Sequence, residues 1–142
     1  MDDHSVIGVP VGGAILILAA ALSHWHKKRA LAALTPDERS LLAGYNCNFR
    51  SYVASAGIGL YAGALVIANH VTSHSWIIAG LTVGLGIAFV LAVRETVFKS
   101  LGTANAPSSL VRKVKQSYWL MAAGIIGYAL GIGFEMIRNP FN

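Results

Sequence analysis

Trp76–Val93 reads WIIAGLTVGLGIAFVLAV, an eighteen-residue run with no charged, amide or imidazole side chain. Where no water is available every backbone polar group must be bonded internally, so such a run is a helix, and about 20 residues at 1.5 Å rise cross roughly 30 Å of hydrocarbon. Three further stretches, nearly free of charge, have similar length: Val6–Trp25, Tyr52–Val71 and Tyr118–Ile137. Together they predict an all-α integral membrane four-helix bundle, with residues 1–142 as one four-span domain made of two antiparallel hairpins. Composition agrees. Hydrophobic residues make up 55% and charged residues 12%, with a mean hydropathy of +0.59, whereas water-soluble domains carry about 25% charged residues. A soluble nucleic-acid-binding domain is a poor fit despite the net charge of +5 and pI near 9.7, and no nucleic-acid partner is expected. In a membrane protein, basic residues record orientation first.

Ten of the eleven Lys and Arg residues fall in the two segments that follow spans one and three: Lys27, Lys28, Arg29, Arg39 and Arg50, then Arg94, Lys99, Arg112, Lys113 and Lys115. Arg138 lies at the other end, with the uncharged connection Asn69–Ser75. The bias places both basic segments in the cytoplasm and both termini away from it, and a bacterial inner membrane suits such compact loops. The first apolar run is preceded by Asp2 and Asp3 and followed by its basic cluster, the reverse of a signal peptide, so it reads as a retained span.

Local signals refine this picture. Thr35-Pro36-Asp37-Glu38 supplies an N-cap, a proline at the first helical position and a glutamate at the third, which predicts a helix starting there and running into span two. Asn105-Ala106-Pro107-Ser108 is a weaker version ahead of span four. Each span has two glycines four apart, namely Gly8 and Gly12, Gly59 and Gly63, Gly80 and Gly84, and Gly127 and Gly131. Small residues at this spacing let backbones approach where lipid removes the hydrophobic drive for association. Ala56-Gly57-Ile58 with Tyr61-Ala62 is echoed by Ala123-Gly124-Ile125 with Tyr128-Ala129, a pattern that either a duplication or shared apolar composition would produce.

The middles of the spans carry no ionisable residue, which argues against a proton-coupled transporter. Glu135 and Asn69 sit at outer span ends, where a solvated or interfacial role is expected. His24 and His26 lie at the inner edge of span one, and His70 and His74 at the outer edge of span two. They suit headgroup-level anchoring better than axial ligation of a haem within the bundle. No metal site is expected. Cys47 is the sole cysteine, so it has no partner for a disulfide or a CxxC pair, and it reads as structural. The remaining cluster is Arg39, Tyr45, Asn46, Arg50 and Tyr52 around the inner end of span two, with Arg94, Lys99 and Arg112 near the second hairpin. This belt suits an anionic ligand, since guanidinium groups fork onto carboxylates. It equally suits snorkelling cations that meet anionic lipid headgroups.

Glu38-Arg39-x-x-x-Ala43-x-x-Asn46-Cys47, entering the second of four spans, resembles the signature of the MAPEG family, the membrane-associated proteins in eicosanoid and glutathione metabolism. Arg94-x-x-x-Phe98, followed by a polar loop and Tyr118-Trp119, is a weaker echo. The resemblance implies a homotrimeric four-helix bundle with glutathione as cosubstrate held between subunits. It implies glutathione-binding roles for Arg39 and Asn46, with Tyr45 and Arg94 as further candidates, and a thiolate-stabilising arginine for which Arg112 or Arg50 are the candidates. The implied activity is a glutathione-dependent transferase or peroxidase acting on a lipophilic small molecule or lipid hydroperoxide from the bilayer. Leu42 and Phe49 stand where the family motif has an arginine and a glutamate. The alternative is therefore a non-catalytic lipid-binding scaffold or accessory subunit of the same layout.

Overall fold

The computed structural model describes residues 7–41, 49–70, 75–103 and 106–138, without the side chains of residues 41, 49, 50, 69 and 70. It contains five helices: α1 (Gly8–Ala32), α2 (Pro36–Leu41), α3 (Phe49–His70), α4 (Ser75–Thr103) and α5 (Ser108–Arg138). No strand occurs among the described residues. α1, α3, α4 and α5 are long and apolar enough to cross a membrane, and they contain the four predicted spans apart from the terminal Val6, Ile7 and Val71. α4 and α5 continue well past the apolar segments at the ends that carry Lys99 and Arg112.

The exterior is that of a bilayer protein. Ile58, Ile17 and Leu18 are 74%, 71% and 66% exposed, whereas Ser23, Thr82 and Ser117 are fully buried. So many exposed large aliphatics would aggregate a monomer in water. In lipid the same side chains face hydrocarbon, while the Ser23 and Thr82 hydroxyls bond within the bundle and the Ser117 hydroxyl has no partner among the described residues. Ser23 Oγ–H donates to the Ser117 carbonyl at 2.9 Å, Tyr118 Oη–H to the Val90 carbonyl at 2.6 Å, and Thr82 Oγ1–H to the Ile78 carbonyl one turn back.

α5 is the most buried of the four. One side packs on α1 and another on α4, and α3 rests chiefly on α4. The first span therefore finds its main partner in the last, and its contact with the second span is much slighter. Small residues explain the close α1–α5 seam. A Cβ on Gly8 would run into the Gly131 carbonyl, one on Gly12 would lie 3.2 Å from Tyr128 Cα, and one on Gly124 would overlap the Ala19 methyl. With Ser23 against Ser117, these contacts follow an antiparallel register along the whole seam. The glycine pairs of spans one and four thus act as expected. Gly63 also meets a neighbour, Leu85, but Gly59, Gly80 and Gly84 have nothing within 4 Å of a Cβ and contribute no close approach among the described residues.

Glu135 departs from its expected interfacial role. It is 9% exposed, and its carboxylate accepts from the backbone N–H groups of Gly8 at 2.7 Å and Ile7 at 3.1 Å. The first turn of α1 has no side-chain cap of its own, so a residue from the far end of the chain satisfies donors that would otherwise be orphaned. The positive end of the helix dipole favours the same arrangement. At the opposite end of α1, Thr35 N–H donates to Glu38 Oε2 at 3.0 Å and Glu38 N–H to Thr35 Oγ1 at 3.3 Å. This is the predicted reciprocal cap, and α2 starts at Pro36 as expected. Whether that helix runs on into span two concerns residues 42–48, outside the described set. α5 starts at Ser108, with the Pro107 carbonyl accepting from Val111 N–H.

Candidate functional site

Because α1 presents its glycine and serine face to α5, its neighbouring face, containing Ile17, Ala20, Ala21 and His24, is left beside α3. α3 in turn packs through Val53, Ala56, Leu60 and Ala64, all buried, at helical spacings of three and four. Its adjoining face, with Ala54, Ile58 and Ala62, looks toward α1. The result is an apolar cleft of about 960 Å³ between α1 and α3, with Tyr128 of α5 among its walls. Leu16 and Gly57 mark a close approach of the two helices, since a Cβ on Gly57 would lie 3.2 Å from Leu16 Cδ2. Along α3 the cleft runs from Val53 to Leu65, roughly 18 Å of helix at 1.5 Å per residue. Polar side chains enter it at three places, His24, Tyr61 and Tyr128. A long apolar trough with few polar points is the usual chemistry of a site for a lipophilic molecule.

The belt predicted for an anionic ligand is arranged differently from a single grip. Arg39 is exposed, and its Nη2 donates to the Ala32 carbonyl at 3.1 Å, closing the turn between α1 and α2. Arg94 lies with its guanidinium carbon 5.5 Å from the centroid of the Phe98 ring, and Lys115 Nζ reaches the same ring from α5 at 5.0 Å. Phe98 is thus a shared platform for cations of two helices. Arg94 also lines a groove along α4 with Glu95 and Lys99, while Arg112 lines a shallow depression on α5 with Lys115 and Trp119. Tyr45, Asn46 and Cys47 lie outside the described residues. Arg50 belongs to the first turn of α3, and its side chain is likewise outside them.

Among the described residues, no three His, Cys, Asp or Glu side chains form a group that could hold a metal ion. His24, which lines the cleft, is not singled out by the sequence, where its place at the edge of span one suits a headgroup anchor. A signal was present in its neighbours. Ala20 and Ala21 on one helix, and Ala54, Gly57 and Ala62 on the other, are too small to fill the space between two helices. The chain matches no protein-family model, no curated protein and no solved structure.

Proposed function

We propose that this integral membrane protein binds an elongated lipophilic molecule taken laterally from the bilayer, as a lipid-binding scaffold or accessory subunit of MAPEG-like layout. The α1–α3 cleft carries this reading, being apolar, about 960 Å³ in volume and bordered by small side chains. The engagements of Arg39 with a backbone carbonyl and of Arg94 with an aromatic ring favour a binding role over thiol chemistry, as do Leu42 and Phe49 in the motif. Both basic segments face the cytoplasm in this reading, with a bacterial inner membrane as the setting. The test is direct. Protein reconstituted in phosphatidylcholine nanodiscs and extracted in mild detergent should retain phospholipid by mass spectrometry, and Ala54→Trp, which fills the cleft, should release it. Equal retention by both proteins would refute the reading.

A second reading, a homotrimeric glutathione-dependent transferase or peroxidase, is supported by the motif around Arg39 and Asn46 and by the convergence of Arg94 and Lys115 on Phe98. The tripeptide has two carboxylates, which such cations suit. Saturable glutathione binding by calorimetry, weakened several-fold in both Arg39→Ala and Asn46→Ala, is its expected outcome. No heat of binding, or a monomer by light scattering, would dismiss it.

A further inference from the structure

The face of α1 that borders the cleft continues beyond it. Leu16, Ala20 and His24 step along this face at intervals of four, and the next turn of the same face carries Lys27 and Lys28, three and four residues past His24. Arg29 points elsewhere, with its guanidinium carbon 4.6 Å from the centroid of the Trp25 ring. His24 and Lys28 are exposed, and Lys27 is half-buried. Neither helix that borders the cleft contains an aspartate or glutamate: α1 reads GVPVGGAILILAAALSHWHKKRALA and α3 reads FRSYVASAGIGLYAGALVIANH. The acidic residues next along the chain, Asp37 and Glu38, open α2, and Glu38 is bonded back to Thr35. An apolar trough therefore has an imidazole at one end, with two ammonium groups on the next turn of α1 beyond it. This polarity matches a molecule with a hydrocarbon tail and an anionic head.

We propose that the cleft holds an acyl chain of an anionic phospholipid whose phosphate is bound by His24, Lys27 and Lys28. An imidazole N–H donates to a phosphate oxygen in either protonation state, and lysine serves as a point charge for phosphate. The inference rests on the lipid-binding reading of the cleft and adds headgroup selection to it.

The experiment uses the full chain in nanodiscs of phosphatidylcholine containing a minor share of phosphatidylglycerol, followed by extraction in mild detergent and mass spectrometry of the retained lipid. Phosphatidylglycerol should be enriched over its share in the disc by up to about 25-fold, each of the two lysines near an anionic headgroup being worth roughly fivefold. Lys27→Gln with Lys28→Gln should return the ratio to that of the disc while total retained lipid persists. Lys113→Gln with Arg138→Gln, which removes as much charge elsewhere, should leave the enrichment intact. Ala54→Trp and Ala62→Trp should each reduce retention of both lipids. Absence of enrichment in the unaltered protein, its survival in the Lys27/Lys28 variant, or an equal loss in the Lys113/Arg138 variant would overturn headgroup selection. In each case, release of lipid by the tryptophan variants would leave the cleft reading standing. Lipid retention unchanged by both tryptophan variants would overturn the cleft reading and this inference with it.

Discussion

Glu135 lies within a turn of the end of α5, yet its carboxylate is directed at α1, where it accepts from two backbone N–H groups. Hydrogen bonds to a charged group are worth about 1.5–3 kcal/mol each when removal leaves the donors unpaired. Glu135→Ala should therefore destabilise the bundle by about 2 kcal/mol or more, and Glu135→Gln, which keeps an acceptor but loses the charge, by less. Thermal unfolding in detergent micelles, followed by circular dichroism, measures both. Tyr118→Phe is a milder change. The Val90 carbonyl lies inside α4 and keeps its helical partner, so losing the Tyr118 hydroxyl should cost about 1 kcal/mol on the same measurement. The sequence placed Glu135 at a span end and so suggested the headgroup region. Its partner lies 127 residues away along the chain, and nothing local to Phe134 or Met136 announces that contact.

Among the helices, local and non-local signals separate clearly. The cap at Thr35 and Glu38 was legible because four consecutive residues contain all its chemistry. Thr35→Ala should raise amide hydrogen exchange through the first turn of α2 and cost about 1 kcal/mol. The choice of helix partners was not legible, because all four spans offer glycines four apart and only the tertiary arrangement decides which meet a backbone. Gly131 abuts Gly8 and Gly12, whereas Gly59 meets nothing among the described residues. Gly131→Leu should accordingly destabilise the chain by more than about 2 kcal/mol, while Gly59→Leu should leave its unfolding temperature within a few degrees. A large loss at Gly59 would instead mean that this face is covered by another copy of the protein. The cleft is only partly legible: small side chains on both helices signal a gap, but which faces of α1 and α3 border it depends on the tertiary arrangement.

For the whole molecule, the spans were readable because the bilayer imposes length and hydropathy on any segment that crosses it. Orientation is a further expectation, and the chain contains a reporter for it. Cys47 is the sole cysteine and follows span one within the first basic segment. A membrane-impermeant maleimide should leave it unmodified in intact spheroplasts and modify it after permeabilisation. Ser75→Cys, in a Cys47→Ser background, should show the opposite behaviour. Labelling of Cys47 in intact cells would invert the assigned topology.

The tie between α1 and α5 also governs the order of events during synthesis. α1 leaves the ribosome well before α5, which supplies both its glycine seam and the acceptor for its opening amides. Until α5 enters the bilayer, α1 must wait in lipid or beside the insertion machinery with its leading turn unsealed. Closure of this seam therefore waits for α5, and a ribosome stalled ahead of residue 108 would leave a nascent chain that cannot close.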